Sequence, residues 1–414
     1  MKSSYLNWIQ RHYSKIIHSI AFYPAIIAVG FLVLSYVLLA IDFSPFGKSI
    51  KAQWDFISLK DASTARTIAA TIAAGILSLT VFSFSMVMIL LNQAASNMSN
   101  RVLDSMIGNR FQQWVLGFYI GTIVYALFLL STIRDIDSGV HVPALSVYLL
   151  IFLTVVDIFL FIYFLHYITQ SVKYDTIIER IHRQTKNSLE KLCPLREQVE
   201  SVSFTAPHVQ EVTLQASSTL QAVNEKGLLR FCQHNQCQIR FHHPTGTFLL
   251  AGTPFLTVYA QQPLSKEFLQ EVQRLVLFYR GEPVAQNAYY GFKQLREVAL
   301  KALSPGINDP GTAVLSLQAL ADLFAFRMEH FPREQEKDQQ GAVRVLKKET
   351  TFAELFTDTL YPIWDYGKED RTLRQALHHL LLLLKAKAHP PAQQQCIEHL
   401  LQTVKNQERQ KDAL

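Results

Sequence analysis

Residues 67–91 read TIAATIAAGILSLTVFSFSMVMILL and contain no formal charge. The uncharged run extends beyond this stretch, because 34 residues separate Arg66 from Arg101. A helix needs about 20 apolar residues to cross ~30 Å of hydrocarbon, and buried helices of soluble proteins rarely stay uncharged for so long. The stretch therefore predicts a transmembrane helix.

Two further gaps between charged residues are long enough to span a bilayer. There are 26 uncharged residues between Lys15 and Asp42 and 23 between Arg110 and Arg134. A fourth apolar run covers residues 142–168. The first run is longer than a signal-peptide core, so we expect it to be retained. We predict a membrane domain, residues 1–170, with four transmembrane helices over residues 20–41, 67–91, 112–133 and 143–168.

The rest of the chain has the charge density of a water-soluble domain. Residues 171–414 hold 29 of the 39 Lys and Arg and 26 of the 33 Asp and Glu. An amphipathic pattern predicts that the fourth helix continues as a stalk over residues 171–200. Alternating apolar residues between Gly and Pro turns predict a small β-rich subdomain over 201–262. Helical periodicity predicts a helical subdomain over 263–414, which includes a helix over 266–279 and is interrupted by a polar surface loop at 332–342.

The predicted fold class is therefore an α-helical membrane protein with four transmembrane helices, followed by a mixed α+β cytosolic domain. Lys and Arg are enriched on the cytoplasmic side of membrane proteins. Ten lie near the helix ends on one side and five on the other, which predicts that both termini are cytoplasmic. The ten are Lys2, Arg11, Lys15, Arg101, Arg110, Lys173, Arg180, Arg183, Lys186 and Lys191, and the five are Lys48, Lys51, Lys60, Arg66 and Arg134.

Composition excludes some functions. The net charge of +6 is evenly spread and no nucleic-acid-binding module is present, so we expect no nucleic-acid partner. All four cysteines lie within residues 171–414, a usage that fits a reducing compartment rather than a disulfide framework. No catalytic or cofactor-binding motif is found, so we predict a protein that is not an enzyme and holds no cofactor.

The second predicted helix carries a polar stripe at helical spacing. One interpretation is a hydrated path with an apolar constriction. The other is helix packing, because small and hydroxyl residues let helices approach closely. The candidate pore-lining residues are Thr67, Thr71, Ser78, Phe82, Ser85 and Asn92.

Two further features lie in the membrane domain. Asp157 falls near the middle of the fourth helix, where an ionisable residue suggests an ion site or a proton acceptor. A hydrogen-bonded carboxyl facing another helix is the alternative. Gly117 and Gly121 on the third helix form a small-residue motif that predicts close helix packing.

The run Ala-Leu-Ser-Pro-Gly-Ile-Asn-Asp-Pro-Gly-Thr-Ala, residues 302–313, predicts a helix–turn–helix corner. Asp309 is a suitable N-cap and Pro310 a suitable first helical residue. A ligand or anion site at the helix N-terminus is the functional alternative. The candidate residues are Ser304, Asn308, Asp309 and Thr312.

A group of Cys and His residues suggests a metal site, but its spacing matches no standard zinc arrangement. These residues equally suit a packed corner between a helix and a strand, so we predict no metal ion and leave the group open. Its members are Cys232, His234, Cys237, His242 and His243.

The 302–313 run resembles the signature of the DUF2254 family of bacterial predicted membrane proteins. The resemblance extends over nearly the whole chain, although Asn100 stands where the family usually has Pro, and Asp157 is not part of the family pattern. It implies four membrane helices and a cytosolic domain, and carries no catalytic residues. Other matching positions are Gln93, Ser96, Ser99, Arg101, Gln113, Leu116, Gly117, Gly121, Thr122, Tyr125 and 163–166.

These features favour a homo-oligomeric channel or transport-type protein for ions or small solutes in the bacterial inner membrane. Four helices per subunit rarely enclose a path alone, whereas a ring of second helices could line one. The cytosolic domain would then be a vestibule or gate. The alternative is a membrane-tethered sensory or scaffolding module whose cytosolic domain binds a small ligand or a protein.

Overall fold

The computed structural model describes residues 22–47, 49, 59, 61–97, 110–133, 142–199, 202–279, 287–388 and 391–412. The chain forms two compact units, the first from residues 1–96 and 100–173 and the second from residues 97–99 and 174–414. For several residues named above, either the whole residue or its side chain is not described. They are residues 20–21, Lys2, Arg11, Lys15, Lys48, Lys51, Lys60, Gln93, Ser96, Ser99, Asn100, Arg101, Arg110 and Arg134.

Four apolar helices form the N-terminal unit: α1 (Phe22–Phe43), α2 (Ala62–Asn97), α3 (Arg110–Thr132) and α4 (Ala144–Ser171). Each has the length and hydropathy needed to cross a membrane, so the prediction of four such helices is confirmed. The α2 helix begins earlier than predicted because Asp61 accepts hydrogen bonds from the N–H groups of Ser63 and Thr64.

The α1 and α3 helices pack closely against each other. A Cβ added at Gly117 would lie 2.5 Å from Cδ1 of Ile27, and one added at Gly121 would lie 2.7 Å from the Phe31 ring. The expected helix-packing role of the two glycines is therefore confirmed, and the partner helix lies in the same unit.

Polar side chains tie the helix ends together. The Asp42 carboxylate at the end of α1 accepts hydrogen bonds from the N–H groups of Leu145 and Ser146, at 3.1 and 2.8 Å. These groups belong to the first turn of α4, where backbone donors have no intrahelical partner. At the start of α2, the Arg66 guanidinium donates to the Ile133 carbonyl oxygen at 3.2 Å.

The fourth helix does not continue unbroken into the next segment as predicted. It ends at Ser171, and a new helix, α5 (Tyr174–Leu192), begins after a two-residue turn. Within the segment predicted as a stalk, α5 packs in the C-terminal unit through Ile177, Ile181 and Leu189.

The C-terminal unit mixes helices with two small sheets. Its further elements are β1 (His208–Thr213), β2 (Ser218–Val223), α6 (Glu225–His234), β3 (Cys237–Phe241), β4 (Phe248–Leu249), β5 (Pro254–Ala260), α7 (Lys266–Arg274), β6 (Val276–Tyr279), α8 (Ala288–Ala302), α9 (Pro310–Glu329), β7 (Gln335–Lys337), β8 (Val343–Leu346), α10 (Phe352–Gly367), α11 (Arg371–Lys387) and α12 (Pro391–Asp412).

The larger sheet has the strand order β1-β5-β3-β8-β7, in which β3 and β8 are parallel and the other neighbours antiparallel. The smaller sheet has the order β4-β2-β6. Its tight turns use Gly246 and Gly252 at positive φ, a conformation that glycine adopts without steric cost.

Three strands fall in the segment predicted to be helical, and this part of the prediction was wrong. The predicted helix at 266–279 ends at Arg274 and continues as β6, whose Val-Leu-Phe-Tyr sequence suits a strand. The predicted surface loop contains β7, which pairs with β8. Because β8 pairs with β3, distant parts of the chain complete one sheet.

The helices of the C-terminal unit surround α9, which packs against α5, α8 and α11. Phe324 of α9 contacts the rings of Phe292, Phe352 and Phe356 at centroid distances of 5.1–5.7 Å. All four rings are buried, and such aromatic contacts add to the stabilisation from burial. This core fixes the last turn of α9 and the first turn of α10 beside each other.

Candidate functional site

The predicted pore-lining residues lie on the outward face of α2. Thr67, Thr71, Ser78, Phe82, Ser85 and Asn92 are all exposed. A helix turns by about 100° per residue, which places Ala65, Ala69, Ala73 and Ile76 on the opposite side. These four side chains are buried in the core of the N-terminal unit. The polar stripe therefore lies on the side of α2 opposite the one that packs in the core of the N-terminal unit.

Some hydroxyl groups of the stripe donate hydrogen bonds to carbonyl oxygens of α2 itself. Thr67 donates to the Ser63 carbonyl oxygen at 2.8 Å, and Ser78 donates to that of Ala74 at 3.0 Å. Phe82 remains 53% exposed although its ring touches Phe161 of α4. The stripe thus offers hydroxyl oxygens and an aromatic ring to whatever covers it.

Asp157 is fully buried in the N-terminal unit. Its carboxyl lies near the hydroxyl groups of Thr122 and Tyr119 on α3. Neither carboxyl oxygen has a hydrogen-bond partner among the described residues. The buried carboxyl is thus held among hydroxyl groups inside the helix bundle.

The 302–313 corner has the predicted structure. Asp309 caps α9 by accepting a hydrogen bond from the Thr312 N–H at 3.1 Å, and it also accepts one from the Thr312 hydroxyl at 2.6 Å. Ser304 donates to the Lys301 carbonyl oxygen, and Asn308 adopts a positive φ of 49°. The prediction of a capped corner is confirmed, whereas a ligand role for these residues stays a prediction.

The members of the cysteine and histidine group make separate local contacts. Cys232 and Cys237 are both buried in the core beneath the larger sheet. His242 Nε2 lies 2.8 Å from the Thr257 hydroxyl. Across the part of the chain that the structure describes, no three Cys, His, Asp or Glu side chains come close enough to share a metal ion.

A cavity of about 240 Å³ opens in the C-terminal unit. It lies where the last turn of α9 meets the first turns of α10 and α12, and polar side chains contribute much of its wall. The lining residues are Gln198, Val199, Arg327, Phe331, Pro332, Glu334, Gln335, Thr350, Thr351, Phe352, Ala353, Ala392 and Gln393.

Arg327 lies at the centre of this region and is only 4% exposed. It donates from Nη1 to the His330 carbonyl oxygen at 3.0 Å and from Nη2, at the longer distance of 3.5 Å, to that of Thr350. Its Nε has no hydrogen-bond partner among the described residues. Buried charges are costly unless paired, so this partly bonded guanidinium is unusual for a purely structural position.

Titratable groups surround Arg327 behind the cavity wall. Burial raises the pKa of Glu349 to about 7, against the opposing effect of Lys347 and Arg327. Burial also raises the pKa of the Cys193 thiol to about 11 and shifts the pKa of Tyr289 above its ordinary value. Arg327 is therefore the cationic member of a buried polar cluster.

None of these residues was predicted from the sequence as part of a site. A signal was present, because Arg327 follows Leu320 and Phe324 at helical spacing on the buried face of α9. A charge within an apolar stripe predicts a buried ion or a ligand contact. The other members come from distant segments, so sequence spacing could not bring them together.

Comparison with known proteins places this chain in a family. The DUF2254 family model, described as a predicted membrane protein, matches residues 17–382. Uncharacterized proteins of Mycobacterium tuberculosis and Mycobacterium bovis are 25% identical over 346 residues, which cover 81% of this chain. The chain spans 66% of the length of these relatives. No solved structure matches the chain. The match covers most of the sequence, and the chain therefore belongs to the DUF2254 family of predicted membrane proteins.

Proposed function

We propose that this protein is a homo-oligomeric channel or transport-type protein for ions or small solutes. Copies of α2 line the path, and the C-terminal unit lies in the cytosol as a vestibule or gate. The observation that carries the proposal is the polar stripe of α2, which faces away from its own unit. Polar residues inside membranes generally face the bundle interior or a water-filled cavity rather than lipid.

Copies of the same chain can cover this stripe. Four helices rarely enclose a path alone, whereas a symmetric ring brings the α2 stripes of all subunits to a common axis. Dry packing requires small residues that let two backbones approach. Phe82 and Ile89 lie along the same stripe and are exposed, so they hold neighbouring backbones apart. This favours a lined path with an apolar constriction at Phe82.

The proposed location is the bacterial inner membrane, with the lipid bilayer as solvent for α1–α4. The excess of Lys and Arg on one side supports cytoplasmic termini. Asp157 supplies a buried carboxyl among hydroxyl groups, and intramembrane carboxyls commonly bind ions or protons.

Flux through liposomes containing the purified protein tests the proposal. Ser78→Leu should reduce ion flux at least about tenfold, because an apolar ring raises the barrier to a hydrated ion. Phe82→Ala should increase flux by widening the constriction. Ser131→Leu, the same change at an exposed position on α3, is the matched control and should leave flux unchanged. Absence of flux under every ionic gradient, or equal effects of Ser78→Leu and Ser131→Leu, would contradict the proposal.

A further inference from the structure

Two helix N-termini meet at the cavity of the C-terminal unit. Thr351 caps α10, and Phe352 and Ala353 of its first turn line the cavity. Ala392 and Gln393 in the first turn of α12 line it as well. Backbone N–H groups of a first helical turn have no intrahelical acceptor, and the helix dipole is positive at this end. In α10 the Glu354 N–H already donates to the Thr351 hydroxyl oxygen, and the Glu354 carboxylate accepts from the Thr351 N–H, so Phe352 and Ala353 supply the remaining donors of this turn. The two helices span residues 352–367 and 391–412, long enough for a developed dipole, and the Glu354 carboxylate offsets part of the positive end of α10 but not that of α12.

Arg327 adds a full positive charge to the same wall. A guanidinium has five N–H donors. Arg327 donates to the His330 and Thr350 carbonyl oxygens, and its guanidinium also interacts with the Tyr289 hydroxyl, so not all five donors are used. Donors therefore remain for a ligand, and the planar group suits an oxyanion with two oxygens.

Gln393, in contrast to Arg327, has an acceptor that needs a hydrogen-bond donor. The residue is 4% exposed, and its Oε1 has no hydrogen-bond partner among the described residues. Its Nε2 faces the Met328 carbonyl oxygen at 3.5 Å. A buried acceptor without a donor is costly, so a ligand that carries its own donor would satisfy this oxygen.

Nearby carboxyl groups limit the negative charge that a ligand in this cavity can carry. Glu349 is buried beside Arg327, and Glu334 lies at the cavity rim. A dianion would be repelled by these groups, whereas a single negative charge is balanced by Arg327. The volume of about 240 Å³ is below that of common drug-sized pockets, so the ligand is small.

We propose that this cavity binds a small monoanionic carboxylate that also carries a hydrogen-bond donor, such as a hydroxyl group. The carboxylate lies between Arg327 and the N-termini of α10 and α12, and the donor bonds to Oε1 of Gln393. The inference goes beyond the proposed flux and does not depend on it.

Calorimetric titration of the full-length protein in detergent tests this assignment. The probes are glycolate, lactate and glycerate, with propionate as the match for lactate without a hydroxyl group and inorganic phosphate as the multiply charged oxyanion. At least one hydroxy acid should bind saturably. Propionate should bind at least about tenfold more weakly than lactate, because a buried polar group is left unpaired. Phosphate should bind more weakly than the hydroxy acids.

Variants locate the binding. Ala392→Phe fills the cavity from an exposed position and should weaken binding at least about tenfold. Ala386→Phe, the same change on the exposed face of α11 away from the cavity, should leave binding unchanged. Gln393→Leu should remove the preference for lactate over propionate. The unfolding midpoint of Ala392→Phe should stay close to that of the wild type.

Three results would overturn the assignment. The first is that none of the hydroxy acids binds at concentrations up to about 10 mM, a limit that corresponds to very weak affinity. The second is that phosphate alone binds, which would make the site one for a different class of anion. The third is that Ala392→Phe and Ala386→Phe have equal effects, which would place the binding elsewhere.

Discussion

Asp42 links two distant segments through a single carboxylate. It lies at the end of α1, is 1% exposed, and accepts hydrogen bonds from the Leu145 and Ser146 N–H groups and from the Ser146 hydroxyl. Hydrogen bonds to a charged acceptor are stronger than neutral ones, and buried helix ends need such partners. One side chain thereby fixes the end of α1 against the start of α4.

Glu349 provides a pH-dependent contribution to stability. Burial disfavours the carboxylate and raises the pKa of Glu349 in the folded protein from its ordinary value of 4.5 to about 7. The folded state therefore holds a proton that the unfolded state loses above pH 4.5. Stability from this group is fully present below pH 4.5 and falls until about pH 7. The loss is about 3 kcal/mol in total.

Glu349→Gln should remove this dependence. The thermal unfolding midpoint of the wild type, relative to that of the variant, should fall between pH 5 and pH 7 and then become constant. Lys347 and Arg327 oppose the shift, and Glu334 and Glu225 reinforce it, so these charges must be kept unchanged. Glu190→Gln, at an exposed carboxyl on α5, is the control. A difference that stays constant with pH would contradict the prediction.

Some of these residues could be predicted from the sequence and others could not. Asp309 was identified because an N-cap is read from its own neighbours: a Pro follows it and a helical pattern begins. Asp42 caps a helix about 100 residues away, and no local pattern contains that information. The same holds for the cavity, since Arg327 and Gln393 come from different helices. Sequence patterns identify partners that are close in the chain, whereas the Asp42 cap and the cavity are assembled by tertiary packing.

At the scale of the elements, long periodic segments were predicted well and short strands were not. The four apolar helices α1–α4 and the five helices α8–α12 follow from periodicity alone. The β6 segment was read as the end of a helix because four apolar residues suit either structure. Its strand conformation depends on pairing with β2. Short segments take their conformation from partners that sequence spacing does not identify.

The close contact between α1 and α3 gives a prediction about the packing of these two elements. Gly121→Ala should destabilise the N-terminal unit by about 1–3 kcal/mol, because overpacking forces neighbouring side chains to shift. The added Cβ would lie 2.7–3.1 Å from three atoms of the Phe31 ring. Thermal unfolding in detergent, followed by tryptophan fluorescence, measures the change.

Gly30→Ala is the matched control for this substitution. Gly30 lies in α1, the other helix of this contact, and a Cβ there would meet no atom within 4 Å. Alanine is favoured over glycine in helices by about 1 kcal/mol, so this variant should be neutral or slightly more stable. Equal destabilisation by the two substitutions would mean that the α1–α3 contact does not require the glycine.

For the whole molecule, the two faces of α2 have different partners. Its small alanines meet the other helices of the N-terminal unit, and its polar stripe faces outward. A lone subunit in lipid would leave this stripe against hydrocarbon. Association of several copies removes that exposure, because interhelical contacts and water replace lipid at hydroxyl groups. The proposed assembly therefore follows from where the polar residues lie, and it can be tested without measuring flux.

Cross-linking between subunits tests the proposed assembly through α2. In a Cys396→Ser background, Ser78→Cys or Ser85→Cys should give covalent dimers with a short bis-maleimide, because both positions lie on the stripe. The remaining native cysteines, Cys193, Cys232 and Cys237, are buried. Phe152→Cys on α4 is the control, since this side chain is 60% exposed and lies off the stripe. Ring assembly through α2 predicts efficient cross-linking at 78 and 85 and little at 152. Equal cross-linking at all three positions would indicate random collision in the micelle, and cross-linking at 152 alone would place the subunit contact on α4.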